Sequence, residues 1–571
     1  MALNPAPRPV ATWSSLYCYL YWRPADTDTF ISATLAPLLE ALRDAGRIEQ
    51  WFFIRYSEQD GPHLRIRTRG ADPVTTAELR GQLTEAVRAA PYPVDGKLEQ
   101  VYRRRAPGDR RTPRGHGEVC DAVYEPETER YGGATALAVA EEVFCQSSRI
   151  AATVVGRTAG PAQRLAAATD FVLATAVSLD LDPLDTVRWL RRSVISWRRF
   201  SGGTSPVPMT VPVSALDAAA AQSAAVVRRR QEIQASRGSG TRLRDQWAAC
   251  VTAARARLEA DETVGRSTWL QVWASQLHML LNRMGVPPEE ERSICWFIAS
   301  SLLAPEGTTD YFADHPGAVD RRYLDASNFV PSRMEWQQPR KAPRDAKGPR
   351  RGPSAGSPSA LAAGGPPSMP LGEAMARRRS GHGDLGGSVA AEALGTVLWS
   401  AYAGAAAPGA GGRVGRPYPS AGAEYVARLR LVVRDVAGLS PGLYELEPES
   451  RTLLPVAAAP TTGELEAASM WFGPEGGSVP GSVDVSTLPA LVGLYLELGT
   501  LRARYGLRAM RFAYLEAGHL AQNLALTAAA TGLSLGMVGA FYDDTAHELF
   551  LLDGIDDVLA YLLPVGRLPA P

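Results

Sequence analysis

WFFIRYSEQDGPHLRIRTR, residues 51–69, carries the pattern on which the fold turns. Trp51 to Tyr56 is aromatic and apolar, as strands are. His63 to Arg69 alternates polar with apolar residues, which puts His63, Arg65 and Arg67 on one face of a second strand. Upstream, Leu16 to Trp22 has the same strand composition. Between that segment and Trp51, the residues Phe30, Leu35, Leu38, Leu39 and Leu42 recur at helical spacing. A β-α-β-β start of this kind predicts an α+β sheet domain, and the stretch from about Gly133 to Gly285 then reads as mostly helical. Its last helix has an apolar stripe of Leu270, Trp273, Leu277, Leu280 and Met284, with His278 and Asn282 sharing a face at i, i+4.

At 571 residues the chain exceeds what one core supports. Sixty basic side chains balance sixty acidic ones, so net charge offers no argument for nucleic acid or an anionic membrane as the main partner. The five cysteines (Cys18, Cys120, Cys145, Cys250, Cys295) form no CxxC pair, which argues against a zinc ribbon or a disulfide scaffold, and no metal site is expected. The start lacks a signal-peptide pattern and no apolar run has membrane-spanning length, so the expected address is the cytoplasm.

Residues 339–370, PRKAPRDAKGPRRGPSAGSPSALAAGGPPSMP, have almost no large apolar side chains. Such a composition predicts a flexible, disordered linker, basic in its first half. The sharper reading, a dock for an acidic peptide or tRNA, is set below the simple tether. The expected organisation is therefore a domain at 1–338, a linker at 339–370 and a second α+β domain at 371–571. In the last of these, Val389 to Tyr402 and Phe512 to Thr531 read as helices, and Arg428 to Val433 and Leu491 to Leu498 as strands.

Three segments of the second domain suggest chemistry. Arg377-Arg378-Arg379-Ser380-Gly381-His382 places an arginine and a hydroxyl two residues apart, able to grip a phosphate and a ribityl chain together. Arg416-Pro417-Tyr418-Pro419-Ser420-Ala421-Gly422-Ala423 sets small residues beside a proline-fixed turn, where backbone N–H groups can approach a flat ring. The third runs from Arg504-Tyr505-Gly506 through Glu516-Ala517-Gly518-His519 to Gln522-Asn523. Phe512, Leu515, His519, Gln522 and Leu526 form one stripe there, suited to packing or to a dimer. Each alone also reads blandly, as a solvated helix end, an ordinary turn and a packing helix.

Together, with Pro441-Gly442-Leu443-Tyr444, these segments resemble the nitroreductase superfamily, specifically its SagB-type azoline dehydrogenases, over roughly residues 371–571. The resemblance implies FMN as cofactor and a homodimer formed through this domain. It implies flavin contacts from Arg378, Ser380, Pro419, Ser420, Ala421 and Gly422, with Gly536 and Gly539 in a later flavin-facing loop. The family associates a Lys-Tyr pair with azoline deprotonation. Here the pair is Arg504-Tyr505, and arginine stays protonated, so Tyr505 does the proton work with Arg504 beside it, or the base lies elsewhere. A generic nitroreductase is the alternative.

In the first domain, the opening stretch, Glu129-Arg130-Tyr131-Gly132-Gly133 and His278-Met279-Leu280-Leu281-Asn282-Arg283 stand in the order that resembles the elimination domain of lantibiotic dehydratases, the SpaB-C or thiopeptide-type domain. The match spans roughly residues 14–297, without the larger glutamylation domain. Fusion of the two resembles the bifunctional enzymes of lactazole-type thiopeptide biosynthesis. A separate tRNA-dependent protein would glutamylate Ser or Thr of a ribosomal precursor peptide, and this domain would expel glutamate to leave dehydroalanine or dehydrobutyrine. Arg65, Arg67 and Arg130 would then bind the glutamate carboxylates, and His278 would do acid/base work. His63 is a neighbour of that set. The rivals are a [4+2] pyridine synthase, which has no glutamate to expel, and a non-catalytic peptide-binding module.

Overall fold

The computed structural model describes residues 12–103, 112–158, 160–200, 213–237, 241–260, 266–304, 312, 314–315, 317–329, 331, 340, 356–403, 415–473 and 479–568. The chain divides into two compact units, Met1–Leu190 with Val213–Ala304 and Arg191–Pro212 with Pro305–Pro571. Both units mix helices with a sheet, as the α+β expectation required.

The first unit contains an antiparallel four-stranded sheet of order β2-β3-β1-β4, with β1 at Trp13–Tyr19, β2 at Gln50–Glu58, β3 at Gly61–Arg69 and β4 at Val119–Ala122. The register sets His63 between Tyr56 and Tyr19, Arg65 between Ile54 and Tyr17, and Arg67 between Phe52 and Ser15. Directly opposed residues share a face, so these three of the four basic side chains of β3 stand among tyrosines and apolar neighbours. On the other side of the pleat, Leu64 and Ile66 are buried with Phe53 and Leu16.

β2 is an edge strand, and an edge exposes unpaired backbone groups. Here α1 (Ala134–Arg157) and α2 (Arg266–Arg283) cover it with side chains. The Asn282 amide accepts from Arg55 N–H at 3.1 Å and donates to Arg55 C=O at 3.0 Å, as a neighbouring strand would. Phe53 is satisfied likewise, its N–H by Ser148 Oγ at 3.2 Å and its C=O by Arg283 Nε at 2.6 Å. Burial lowers the Arg283 pKa to about 9, still well above neutrality. The stripe residues Trp273, Leu277, Leu280 and Met284 are buried. α3 (Pro288–Leu303) follows, with proline at its start and three glutamates in the first turn, where the helix dipole favours acids.

The second unit begins, among its named helices, with α4 (Val319–Ala326). Its seven-stranded sheet has the order β10-β11-β9-β6-β7-β8-β5: β5 at Ser359–Ala360, β6 at Ala427–Val433, β7 at Gly442–Glu447, β8 at Thr452–Ala457, β9 at Ala490–Glu497, β10 at Ser534–Leu535 and β11 at Asp557–Gly566. The helices that matter here are α5 (Leu371–Arg377), α6 (Ala391–Tyr402), α7 (Leu498–Tyr505) and α8 (Ala509–Thr531). α8 buries Ala513, Ala517, Ala521, Ala525 and Ala528 with Leu520 and Leu524. Small residues on that stripe let α8 lie close to α6 and the sheet.

Much of the expected linker, 341–355 and residue 339, lies outside the described residues. Its last part is packed. β5 pairs with β8, Leu361 is buried, and the Leu361 carbonyl accepts from Trp399 Nε1 at 2.9 Å. Gly364 N–H donates to Thr396 Oγ1 at 2.8 Å. Composition misjudged this segment because its order comes from backbone pairing and one leucine against α6, which an average over side chains does not register.

Candidate functional site

On β3, His63 is only 3% exposed and Arg67 7%. The guanidinium of Arg65 lies 3.5 Å from the centroid of Tyr56 and 4.9 Å from that of Tyr17. It donates to Glu58 at 2.7 Å and to His63 Nε2 at 3.2 Å. Arg67 sits over Tyr124, 4.4 Å from its centroid, and over Phe52 at 5.5 Å. The Arg67 Nε is buried with no hydrogen-bond partner among the described residues. Burial lowers the pKa of Arg67. Two cations side by side against aromatic rings, with a single neighbouring carboxylate bonded to one of them, leave an excess of positive charge that an anion would relieve.

Arg130 is half-exposed, paired with Glu127 at 2.9 Å and donating to Ser275 Oγ on α2 at 3.3 Å. That second bond joins the Arg130 turn to the helix of His278. Tyr131, Phe52, Ile54, Phe144 and Val272 share one buried cluster, with Met279 packed on it. His278 Nδ1 lies 2.8 Å from Glu291 Oε2 on α3. A carboxylate there fixes the ring and its tautomer, with the proton on Nδ1. Asn282, on the same helix face as His278, is taken up by the edge of β2. The sequence reading missed Tyr17, Tyr56, Glu58, Tyr124 and Glu291. Tyr17 and Tyr56 were visible as strand residues, but their place beside Arg65 depends on cross-strand register.

In the second unit, the Arg378 and Gly536 segments are adjacent. Ser380 bridges to Leu535, Gly381 N–H donates to Leu535 C=O at 3.0 Å, and a Cβ on Gly536 would fall 2.8 Å from the Gly381 carbonyl. Arg378 has no side-chain ion pair and the Ser380 hydroxyl no hydrogen bond among the described residues, so a cation and a hydroxyl stand uncommitted two residues apart. That donor set fits a phosphate. Gly539 is exposed.

The Pro419–Gly422 turn meets the Arg504-Tyr505 pair. Gly422 has φ 63°, and a Cβ there would lie 2.4 Å from the Tyr505 hydroxyl. Ser420 is committed elsewhere: its hydroxyl donates to Glu516 at 2.6 Å and accepts from Tyr425 N–H at 2.8 Å. Glu516 also accepts from Ala427 N–H at 2.9 Å, and burial raises its pKa. What the turn offers a ligand is therefore backbone and the small side chains of Pro419 and Ala421. Arg504 is ion-paired with Glu424, and Tyr505 packs edge-on against Phe512. α8 touches both parts, packing on α5 and on the Ala421–Ala423 turn, and its Asn523 donates to the Pro417 carbonyl at 2.8 Å.

The elbow after Tyr505 is gripped by α4 in a way no motif announced. Tyr323 donates to the Leu507 carbonyl at 3.0 Å, while Arg508 and Arg511 donate to the Ser327 and Leu324 carbonyls at 3.2 and 2.5 Å. Two of the bonds thus end on carbonyls at the C-terminal end of α4, where helical acceptors lack intrahelical N–H partners. Among the described residues no group of three or more His, Cys, Asp or Glu side chains could hold a metal, and no helix is long and apolar enough to cross a membrane.

Residues 16–302 match the family described as lantibiotic biosynthesis dehydratase C-term, and residues 386–567 match the nitroreductase family. A Methanocaldococcus jannaschii protein described as a nitroreductase is 31% identical over 149 residues, which are 26% of this chain and 69% of the relative. Among solved structures, the pyridine synthase TbtD from thiomuracin biosynthesis is 17% identical; 51% of this chain and 97% of that one are covered, with a TM-score of 0.40. The tRNA-dependent lantibiotic dehydratase MibB from Microbispora sp. 107891 is 21% identical, with 52% of this chain covered and a TM-score of 0.35. Only 28% of that dehydratase is spanned.

Proposed function

The chain belongs to the lantibiotic dehydratase C-terminal family in its first half and to the nitroreductase family in its last third, and from that premise we propose a bifunctional peptide-tailoring enzyme. The first unit eliminates glutamate from glutamylated Ser or Thr of a precursor peptide. The second oxidises azolines to azoles. Both reactions modify one ribosomal peptide, and the glutamyl ester comes from a separate tRNA-dependent protein.

The observation that carries the elimination reading is the β3 face, where Arg67 keeps an unpartnered buried donor beside Arg65. A glutamyl group brings carboxylates, which guanidinium forks bind bidentately. In the reaction a base takes the α-proton of the modified residue, the Cβ–O bond breaks, and glutamate leaves as a carboxylate. Arg65 and Arg67, with Arg130 at the rim, stabilise the negative charge that develops on that leaving group. His278 exchanges the proton, its ring oriented by the Nδ1 contact with Glu291.

For the second unit, the uncommitted Arg378 and Ser380 and the narrow Gly422 turn support FMN. When bound, FMN supplies the two-electron acceptor for azoline oxidation. Arg378 and Ser380 would hold its phosphate and ribityl end, Pro419–Gly422 and the Gly536–Gly539 loop would lie along the flat ring, and Tyr505 would take the proton from the azoline beside the Arg504–Glu424 pair. The outward face of α8, with Tyr514, Leu515, His519 and Gln522 exposed, is the surface offered to a second copy.

The test is a mass time course on a glutamylated precursor peptide, wild type against His278→Ala. Loss of the glutamyl mass with wild type, and a rate ~10²–10⁴-fold lower in the variant, is expected. Unchanged glutamylated peptide with wild type would sink the elimination. FMN in the purified protein and conversion of an azoline peptide without added nicotinamide test the second activity.

A further inference from the structure

The hydrogen bonds around Arg65 fix the protonation of a histidine that the proposed mechanism does not use. A guanidinium only donates. Because Arg65 Nε donates to His63 Nε2 at 3.2 Å, that nitrogen must accept, and the ring proton sits on Nδ1. Nδ1 in turn lies 3.0 Å from the Gly61 carbonyl, the right partner for an N–H. A second ring proton would set N–H against N–H. The imidazole is stacked on Tyr17 at 4.7 Å with planes 21° apart, and Tyr19 lies at 4.9 Å. Of the carboxylates near it, Asp60 takes the Tyr19 hydroxyl at 2.8 Å on Oδ2 and Glu58 takes Arg65 at 2.7 Å; neither is hydrogen-bonded to the ring nitrogens, which are held by Arg65 and Gly61. Burial, and then the Arg65 charge, hold the His63 pKa below the ordinary value.

Building on the elimination reading, we infer that His63 is a positioning residue: a neutral imidazole that, with Glu58, aims Arg65 so that its remaining donors at Nη1 take a carboxylate of the glutamyl group. Three constraints then fix the guanidinium. His63 holds Nε, Glu58 holds Nη2, and the rings of Tyr56 and Tyr17 flank it. The donors left over form one corner of the fork, and no described hydrogen bond uses Nη1. A side chain locked this way loses little rotamer freedom when the anion arrives. His63 takes no proton in the reaction.

The experiment compares wild type, His63→Leu and His63→Gln in the full chain, measuring free glutamate binding by calorimetry and the pH profile of elimination. Glutamine can still accept from Arg65 Nε; leucine cannot. Losing one charge-assisted hydrogen bond should weaken glutamate binding and raise KM about tenfold in the leucine variant, with kcat changed far less. The glutamine variant should bind close to wild type and keep both limbs of the pH profile, and it decides the matter alone if the leucine variant fails to fold. A glutamine variant with kcat ~10²-fold lower, or with one pH limb gone, would make His63 an acid–base group and overturn the inference. So would a folded leucine variant that binds like wild type. Wild type that neither binds glutamate nor removes the glutamyl group would overturn the elimination reading, and this inference with it.

Discussion

The β3 face and the Pro419–Gly422 turn solve opposite problems. On β3 the candidate groups are long charged side chains, and the surrounding residues restrain them: rings beside Arg65 and Arg67, His63 and Glu58 on the donors of Arg65. In the turn the side chains are small, Ser420 is tied down by Glu516, and Gly422 leaves just enough room for Tyr505. One region concentrates charge, the other small residues. A substitution should therefore fail differently in each, through lost interaction on β3 and through lost space in the turn.

The sharpest way to break this contrast is Arg67→Ala. Removing a preorganised cation should cost elimination ~10²–10³-fold in kcat/KM, while azoline oxidation by the same preparation is unchanged. A mass time course on the two peptides reads both, and an elimination rate near wild type would end the claim that charge placement matters on β3.

Gly422→Ala probes the other side. Its φ of 63° strains any residue with a Cβ, by ~1–2 kcal/mol, and the contact with Tyr505 adds roughly 1–3 kcal/mol of overpacking. Flavin stoichiometry and azoline turnover should both fall, with elimination intact. Full flavin content in this variant would show that the turn has slack.

Smaller effects test the supports. Asn282→Ala strips the Arg55 N–H and C=O of their partner, and each of these two partly buried backbone groups left unsatisfied should cost at most about 1–3 kcal/mol. The loss belongs to the first unit's melting transition and to hydrogen exchange at Arg55, with little change at the second unit.

The mildest test is pH. His547 is buried, its Nε2 accepts from Leu559 N–H at 2.9 Å, and burial lowers its pKa to about 4. Its folded value lies below the ordinary 6.5, so the unfolded chain takes the proton first as pH falls. The stabilisation is whole above about pH 6.5 and is lost progressively toward pH 4, by about 1–2 kcal/mol at pH 5. The second unit's melting temperature should drop over that window, and His547→Gln should flatten the drop.

The α+β class and most elements were legible in the chain. Alternation over His63–Arg69 marked a strand with its basic residues on one face, and the apolar stripe from Trp273 to Met284 marked a buried helix face. Less was legible about what each polar residue is for. Asn282 and His278 look equivalent by spacing, yet one completes the edge of β2 and the other meets Glu291. Ser420 reads as a ligand donor in its motif, and its hydroxyl is held by Glu516, 96 residues away. The grip of α4 on the elbow after Tyr505 has no motif at all, because carbonyl acceptors are the same at every residue.

By itself, then, the sequence determined which residues share a face, since the periods of strand and helix are built into the backbone. It also determined where charge and small size are concentrated. Only the tertiary structure decided which donor meets which acceptor, and so which histidine is neutral, which arginine keeps a donor in reserve and which serine is already bound. Hydrogen bonds are short and directional, and the partners of β2 lie up to 230 residues apart in the chain; no local pattern can encode a distance that only folding closes.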